Sequence, residues 1–237
     1  MKTKYTKMHS NGNEFLITDD IRQVAKIKTL GNKKNGLGFD QLLYIKNQEP
    51  FEISVFNSDG SEADNCINGL RCIAYLYGLK HKEILIKDNK FIVDSDEKGA
   101  TVTGSLPQVK KHNDHYIIKF GNNHIAKEHN DINLIDLEDE YLKLKSSKKF
   151  KEVPNFNLSV FQISEDQIGI RTYENGAGET LSCGSATISV AYALLKDTNK
   201  NELLFTSRGG KTKVYKDEIS ISSKADAVIL EQGYLNE

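Results

Sequence analysis

The sequence predicts an α/β fold of two pseudo-symmetric domains, each a strand-rich mixed sheet or barrel around one central helix. Three observations predict it. The segments around Cys66 and Cys183, 117 residues apart, copy each other: a Glu lies four positions before each cysteine (Glu62, Glu179), an Ala-Tyr pair eight and nine after it (Ala74-Tyr75, Ala191-Tyr192), and a polar residue nine before (Asn57, Glu174). Gly12-Asn13 and Gly121-Asn122 stand upstream in the same order, the Asn 53 and 61 residues before its cysteine. Short β-rich runs outnumber helical ones. Internal repetition marks a duplicated unit, and two halves that each supply one thiol suit a two-base reaction at one carbon.

The β-rich runs fall at 51–56, 83–87, 90–93, 116–120, 158–163, 167–173, 211–215 and 227–230, separated by Gly, Asn and Asp turns. Helices are fewer. The stretch 66–77 sets Leu70, Ile73, Ala74 and Tyr77 at helical spacing, with Gly78 as its stop. Its counterpart, 184–195, is apolar on nearly every side, the pattern of a helix buried in a core. Each cysteine thus stands at the N-terminus of its half's helix. A further helix over 136–144 carries Glu and Lys at pairing distances and reads as a solvated face. The crossing between halves is expected at 110–113, giving domains 1–113 and 114–225, with a C-terminal strand at about 226–237 returning to the first half.

Lys+Arg of 32 against Asp+Glu of 33 gives a net charge of −1, so no basic field draws nucleic acid and the substrate must be recognised by local groups. The opening residues carry lysines with no apolar run behind them, and nothing approaches the ~18 apolar residues of a membrane span. A cytoplasmic protein with no membrane partner is expected, and the sequence leaves room for a homodimer. Three cysteines in such a chain are better read as reactive or buried thiols than as a disulfide framework. Cys66 and Cys72 are six apart, outside the C-x2-C spacing of a zinc knuckle, and His124 does not complete a tetrahedral set, so no metal is expected. Gly36-Leu37-Gly38 lacks the rest of any phosphate-binding fingerprint, so no nucleotide is expected either.

A thiol at a helix N-terminus has its pKa lowered by the macrodipole and by free backbone N–H groups, which makes it a usable base. The same N–H groups bind carboxylates. Two such termini at one substrate would clamp an α-carboxylate while a thiolate and a thiol flank the α-carbon, and the charge left by proton removal would spread into that carboxylate, where the donors count most.

These residues also carry a resemblance. Lys7-Met8-His9-Ser10-Asn11-Gly12-Asn13-Glu14-Phe15 and Gly36-Leu37-Gly38-Phe39-Asp40-Gln41 resemble two N-terminal motifs of the diaminopimelate epimerases. The run from Asn57 through Cys66-Ile67-Asn68-Gly69-Leu70-Arg71-Cys72 resembles the segment bearing their first catalytic cysteine, and Gly178-Glu179-Thr180-Leu181-Ser182-Cys183-Gly184 the segment bearing the second. Weaker blocks at Gly121-Asn122-Asn123-His124, Phe156-Asn157-Leu158 and Arg208-Gly209-Gly210 follow in the family's order.

The resemblance implies a diaminopimelate epimerase-like fold and a cofactor-independent enzyme that converts LL- to meso-diaminopimelate for lysine and peptidoglycan synthesis. It makes Cys66 and Cys183 the acid/base thiols and His124 and Glu174 the polar neighbours that set their protonation. Asn13, Gln41, Asn57, Ile67, Asn68, Asn122, Asn157, Asn175, Gly184 and Ser185 fall at substrate-contacting positions. Three positions depart from the family pattern: Ile67 replaces a Gly, Asn123 a Pro, and Asn175 the Arg expected to grip the distal carboxylate. An Arg–carboxylate fork is bidentate and charge-assisted; Asn offers neutral bonds. Two alternatives therefore stand beside the epimerase: a racemase of another amino acid lacking a distal carboxylate, and a catalytically inactive amino-acid-binding protein on the same fold.

Overall fold

The computed structural model describes residues 2–165 and 167–235. The chain divides into two compact units, Met1–Gly104 with Lys224–Glu237, and Ser105–Ser223. In the first, β1 (Thr3–Ser10) and β2 (Asn13–Thr18) form a hairpin, followed by two short helices, α1 (Arg22–Ala25) and α2 (Ile27–Leu30). Then come β3 (Gln41–Gln48), β4 (Phe51–Asn57), β5 (Glu62–Ala63), the longer helix α3 (Ile67–Leu76), and β6 (Lys82–Ile86), β7 (Asn89–Ser95) and β8 (Gly99–Ser105). The hairpin turn places Asn11 at φ +50° and Gly12 at φ +75°. Two consecutive positive φ values make the Asn-Gly pair the natural choice there.

The second unit repeats the plan. After β9 (Gln108–His112) it runs β10 (His115–Phe120), β11 (Asn122–Glu128), α4 (Leu137–Ser146), β12 (Phe156–Ile163), β13 (Ile168–Glu174), β14 (Gly178–Thr180), α5 (Gly184–Leu195), β15 (Glu202–Ser207), β16 (Gly210–Lys216) and β17 (Ser220–Asp226); β18 (Val228–Leu235) closes the chain.

Pairing follows the same sequence in both units. A hairpin (β1–β2; β10–β11) meets a parallel neighbour (β2–β3; β11–β12), then two antiparallel steps (β3–β4–β5; β12–β13–β14). The strand after the helix returns parallel to the second of these (β4–β6; β13–β15) and turns into another hairpin (β6–β7; β15–β16). An added strand completes each hairpin edge. β18, from the chain's end, pairs antiparallel with β1, and β9 pairs antiparallel with β10. The division falls between Gly104 and Ser105, before β9 and ahead of the expected crossing at 110–113, and β9 is held to the second unit by its ladder to β10.

Each unit wraps its sheet around the longer helix. Leu70, Ile73 and Ala74 of α3 are fully buried, and Gly184 to Ala191 of α5 are buried without interruption. α3 stops as the glycine predicts. Gly78 takes φ +60°, its N–H reaches the Tyr75 carbonyl at 3.2 Å, and the Leu79 N–H reaches the Ala74 carbonyl at 2.9 Å, the paired bonds of a Schellman ending.

α4 corrects the sequence reading of a solvated face. Asp136 caps it by accepting from the Asp139 N–H at 3.0 Å, with acids in its first turn and lysines in its last, but Leu137 and Tyr141 are buried. They join Ile125, Ile132, Phe150, Phe156, Leu158 and Val160 in one apolar cluster. Most of its charges occupy the outer face, while Lys145 shares the Tyr141 side and bonds its hydroxyl. Among the described residues no helix is long and apolar enough to cross a membrane.

Candidate active site

Cys66 is the N-cap of α3. Its extended backbone aims the side chain back over the helix start, where Sγ accepts the Gly69 N–H at 3.3 Å. The thiol donates to Gln41 Oε1 at 3.0 Å. Gln41 in β3 stands opposite Asn57 in β4, and its Nε2 donates to Asn57 Oδ1 at 2.8 Å; Asn57 is held in turn by Ser61 Oγ at 2.9 Å. The β3–β4 register thus fixes the amide that orients the thiol.

Asn68, buried on the first turn of α3, accepts from Arg71 Nη1 at 2.7 Å and reaches Asn13 Oδ1 at 3.5 Å. Asn13 is anchored by Asp40, which also receives the Glu14 N–H and faces Lys33 at 2.9 Å. Arg71 is fully buried, and desolvation lowers its pKa to about 10, which leaves it charged at neutral pH. Cys72, also fully buried, has its thiol pushed well up by burial and stays protonated and inert. Ile67 is buried on the same turn; its side chain occupies the position of the family's glycine while its backbone stays helical.

Cys183 is the N-cap of α5, the position that Cys66 holds on α3, with the same extended backbone. Ser185 Oγ lies 3.4 Å from Sγ, and Gly184 and Ser185 are buried on the first turn. Burial first, and then the neighbouring Glu174 carboxylate, raise the Cys183 pKa well above its ordinary value; the Ser185 hydroxyl and the Ala186 N–H pull the other way and are outweighed. This corrects the expectation that the helix N-terminus lowers it. At 7% exposure, the loss of water around a thiolate exceeds what the terminal donors return.

Glu174 ends β13, and Thr180 on the adjacent β14 donates to its Oε1 at 2.7 Å. Asn157, on β12, accepts the Asn175 N–H at 2.9 Å. The Asn175 side chain accepts from the Tyr141 hydroxyl at 2.8 Å. Asn122 opens β11 opposite Phe120, and Asn123, where the family has proline, donates to the Pro154 carbonyl at 2.7 Å. His124 stands opposite Asn157 in the parallel β11–β12 pair, 1% exposed, with neither ring nitrogen hydrogen-bonded among the described residues. Burial, with a smaller contribution from Lys119, lowers its pKa to about 3, so the ring is neutral under ordinary conditions.

The matched registers extend the duplication beyond the cysteines. Phe15 faces Gln41 across β2–β3 as His124 faces Asn157 across β11–β12. Gln41 with Asn57 in the first unit therefore corresponds to Asn157 with Glu174 in the second. One half sets an amide against its thiol and the other a carboxylate.

A cavity of about 300 Å³ in the second unit, flanked by Arg171 and Arg208, includes neither Cys183 nor Glu174. Its arginines are engaged: Arg171 forks onto Glu179 at 2.7 and 2.9 Å, and Arg208 meets the same carboxylate at 2.9 Å. Sequence reasoning missed Tyr141, Thr180 and Arg71. Thr180 and Arg71 sit inside the quoted motifs; Tyr141 signals itself only as the fourth residue after Leu137 on an apolar stripe.

A model of the family described as diaminopimelate epimerase matches residues 5–110. A diaminopimelate epimerase from Vesicomyosocius okutanii is 30% identical over 89% of this chain and 90% of its own length. The chain belongs to the diaminopimelate epimerase family. A second relative of that description, from Legionella pneumophila, is 29% identical over 81% of this chain and 82% of its own. Among solved structures, a phenazine biosynthesis PhzF-family protein of Bacillus anthracis covers 100% of both chains at TM-score 0.73 and 16% identity. A hydroxyproline epimerase from Agrobacterium vitis covers 99% of this chain and 91% of its own at TM-score 0.71 and 9% identity. Membership makes the chain an isomerase of the epimerase and racemase class, on a fold that those structures share.

Proposed function

We propose that the protein epimerises LL-diaminopimelate to meso-diaminopimelate by a two-thiol acid/base mechanism, without an organic cofactor or metal, supplying lysine and peptidoglycan synthesis in the cytoplasm. The observation that carries this reading is that each unit presents one cysteine as the N-cap of its buried helix, at the same point of the same strand sequence. Epimerisation removes the α-proton from one face and returns a proton to the other, so it needs one thiolate and one thiol. The base thiolate becomes a thiol as the acid thiol becomes a thiolate, and the enzyme is left poised for the reverse direction.

Cys183 enters as the thiol, held in that form by burial and by the Glu174 carboxylate. Cys66 is the partner that takes the thiolate form; the Gly69 N–H on Sγ suits a negative sulfur, and the bond that its thiol makes to Gln41 Oε1 is given up when it ionises. His124 serves as a neutral hydrogen-bonding group. The backbone N–H groups that open α3 and α5 receive the substrate α-carboxylate and the charge that flows into it when the proton leaves. Asn13, Gln41, Asn57, Ile67, Asn68, Asn122, Asn157, Gly184 and Ser185 line the substrate in this reading.

Asn175 favours a second reading, racemisation of an amino acid without a distal carboxylate, because its amide oxygen is already committed to Tyr141 where the family pattern has an arginine. A racemisation screen over diaminopimelate, lysine, histidine, ornithine and glutamate, read by chiral chromatography, tests both. Interconversion of LL- and meso-diaminopimelate in preference to the others supports the first reading, and preferential turnover of a neutral or basic amino acid the second. Absence of α-proton exchange into solvent for all of them would favour a binding protein.

A further inference from the structure

Tyr141, Lys145 and Asn175 form a connected group in the second unit. The Tyr141 hydroxyl donates to Asn175 Oδ1 at 2.8 Å and accepts from Lys145 Nζ at 3.3 Å, while the same ammonium lies 5.3 Å from the centroid of the Tyr141 ring. The tyrosine is 3% exposed and stacks on Tyr173 at 4.4 Å between centroids, so its hydroxyl has a fixed position. α4 sets the spacing, because residues four apart on a helix share one face. Asn175 is pinned from its other side by the backbone bond to Asn157. It follows directly in the chain on Glu174, whose carboxylate acts on the Cys183 thiol, and consecutive Cα atoms are only about 3.8 Å apart. The group is therefore joined, through Asn175, to the residue next to the one that acts on the Cys183 thiol.

Charge selects Lys145 from the neighbouring cations. Arg171 and Arg208 are both spent on Glu179. Lys149 is paired with Asp114, and Lys143 with Asp139. Lys145 is exposed, bonds the Tyr141 hydroxyl, and forms no ion pair among the described residues.

We propose that Lys145, positioned by Tyr141, is the cation that receives the distal carboxylate of the substrate, with the Asn175 amide as a neutral second donor, in place of the arginine fork that the family pattern carries at Asn175. The inference rests on the diaminopimelate reading above. A lysine at this point gives a single-point contact, where an arginine fork gives two parallel bonds and fixes orientation. The site consequently recognises an anionic far end while tolerating variation in its geometry.

Steady-state kinetics with diaminopimelate for the parent, Lys145→Met, Lys145→Arg and Tyr141→Phe test it, with Lys149→Met as a control for a lost surface charge on the same segment. Loss of one charge-assisted contact predicts a KM raised about tenfold in Lys145→Met, with a much smaller change in kcat. Lys145→Arg restores most of that loss, and Tyr141→Phe raises KM by a smaller factor because the ammonium loses its guide. A KM within about twofold of the parent in Lys145→Met, or a Lys145→Arg variant no better than Lys145→Met, overturns the inference and leaves the epimerase reading intact. A parent that ignores diaminopimelate and racemises an amino acid with an uncharged far end overturns both.

Discussion

Glu174 and Cys183 face each other as a carboxylate beside a buried thiol, and the carboxylate is itself fixed by the Thr180 hydroxyl at 2.7 Å. Burial and, after it, this charge keep the proton on sulfur. Replacing Glu174 by Gln removes the charge and retains the shape, so the Cys183 pKa should fall. Alkylation of Cys183 followed by mass spectrometry across a pH series should show its midpoint displaced to lower pH in Glu174→Gln, and epimerisation should drop at least about tenfold, toward the lower end of the range for a disturbed acid or base. An unmoved midpoint would detach Glu174 from the thiol.

On the proposed mechanism the two thiols should not be replaceable by hydroxyls. Cys66→Ser and Cys183→Ser should each lower turnover by at least about a hundredfold, since a serine hydroxyl is too weak a base for the task. Cys72→Ala, which removes a fully buried and protonated thiol, should leave turnover close to the parent. Near-normal rates in either Ser variant would end the two-base mechanism.

Returning the family's arginine is expected to meet a steric obstacle. The Tyr141 hydroxyl sits 2.8 Å from Asn175 Oδ1, so a guanidinium at 175 must displace it. Asn175→Arg alone should bring little or no fall in the KM for diaminopimelate, whereas Asn175→Arg combined with Tyr141→Phe should lower it. This non-additivity is expected of residues in direct contact, and a double-mutant cycle on KM would measure it. Purely additive effects would show that the two side chains act separately.

Acid should destabilise the fold in two steps. His124 is neutral when folded, with a pKa lowered by burial to about 3, against about 6.5 in an unfolded chain. Its contribution is whole above about pH 6.5 and is lost as pH falls from there toward 3, because the unfolded chain takes up the proton first. Glu179 has its pKa lowered, mainly by the Arg171 fork, and so contributes above the unfolded carboxylate value of about 4.3 and loses that contribution as pH falls below it. Urea unfolding at stepped pH should show stability declining below about pH 6.5, with His124→Gln removing part of the upper decline and His115 and His129, whose pKa values burial also lowers, accounting for the rest. A profile flat between pH 7 and 5 would contradict the assignment of His124.

The Arg171–Glu179 pair should be structural. Arg171 is 7% exposed at its side chain and also donates to the Ile132 and Ile135 carbonyls, tying the segment before α4 to β13. Glu179→Gln leaves that guanidinium undercompensated and should cost about 2–3 kcal/mol, below the full figure for a wholly buried pair because Glu179 is partly wet. Chemical denaturation would measure it, and a loss under about 0.5 kcal/mol would place the pair among ordinary surface contacts.

Wherever a side chain's role follows from its neighbours along the chain, the sequence alone determined it. The duplicated cysteine contexts and apolar periodicity gave both central helices, Ile67–Leu76 and Gly184–Leu195, within a residue at either end, together with the glycine that stops the first. The family motifs singled out the two cysteines that cap these helices. Strands were less legible: β1, β2, β3 and β11 mix buried and polar positions too irregularly to read, and besides their hairpin neighbours they are completed by partners farther along the chain, β18 for β1, β3 for β2 and β12 for β11.

Tertiary structure decided the rest for the same reason. Only the β3–β4 register sets Gln41 on Asn57 and against Cys66, and only the packed surroundings, burial first and then Glu174, turn the Cys183 pKa upward against the pull of its helix end. The sequence showed that an arginine was missing at 175, but not what stands beside it. Tyr141 and Lys145 lie more than a helix away along the chain, and packing of α4 onto its sheet brings them there. Local pattern fixes which residues face a core; it carries no information about which distant residue they meet.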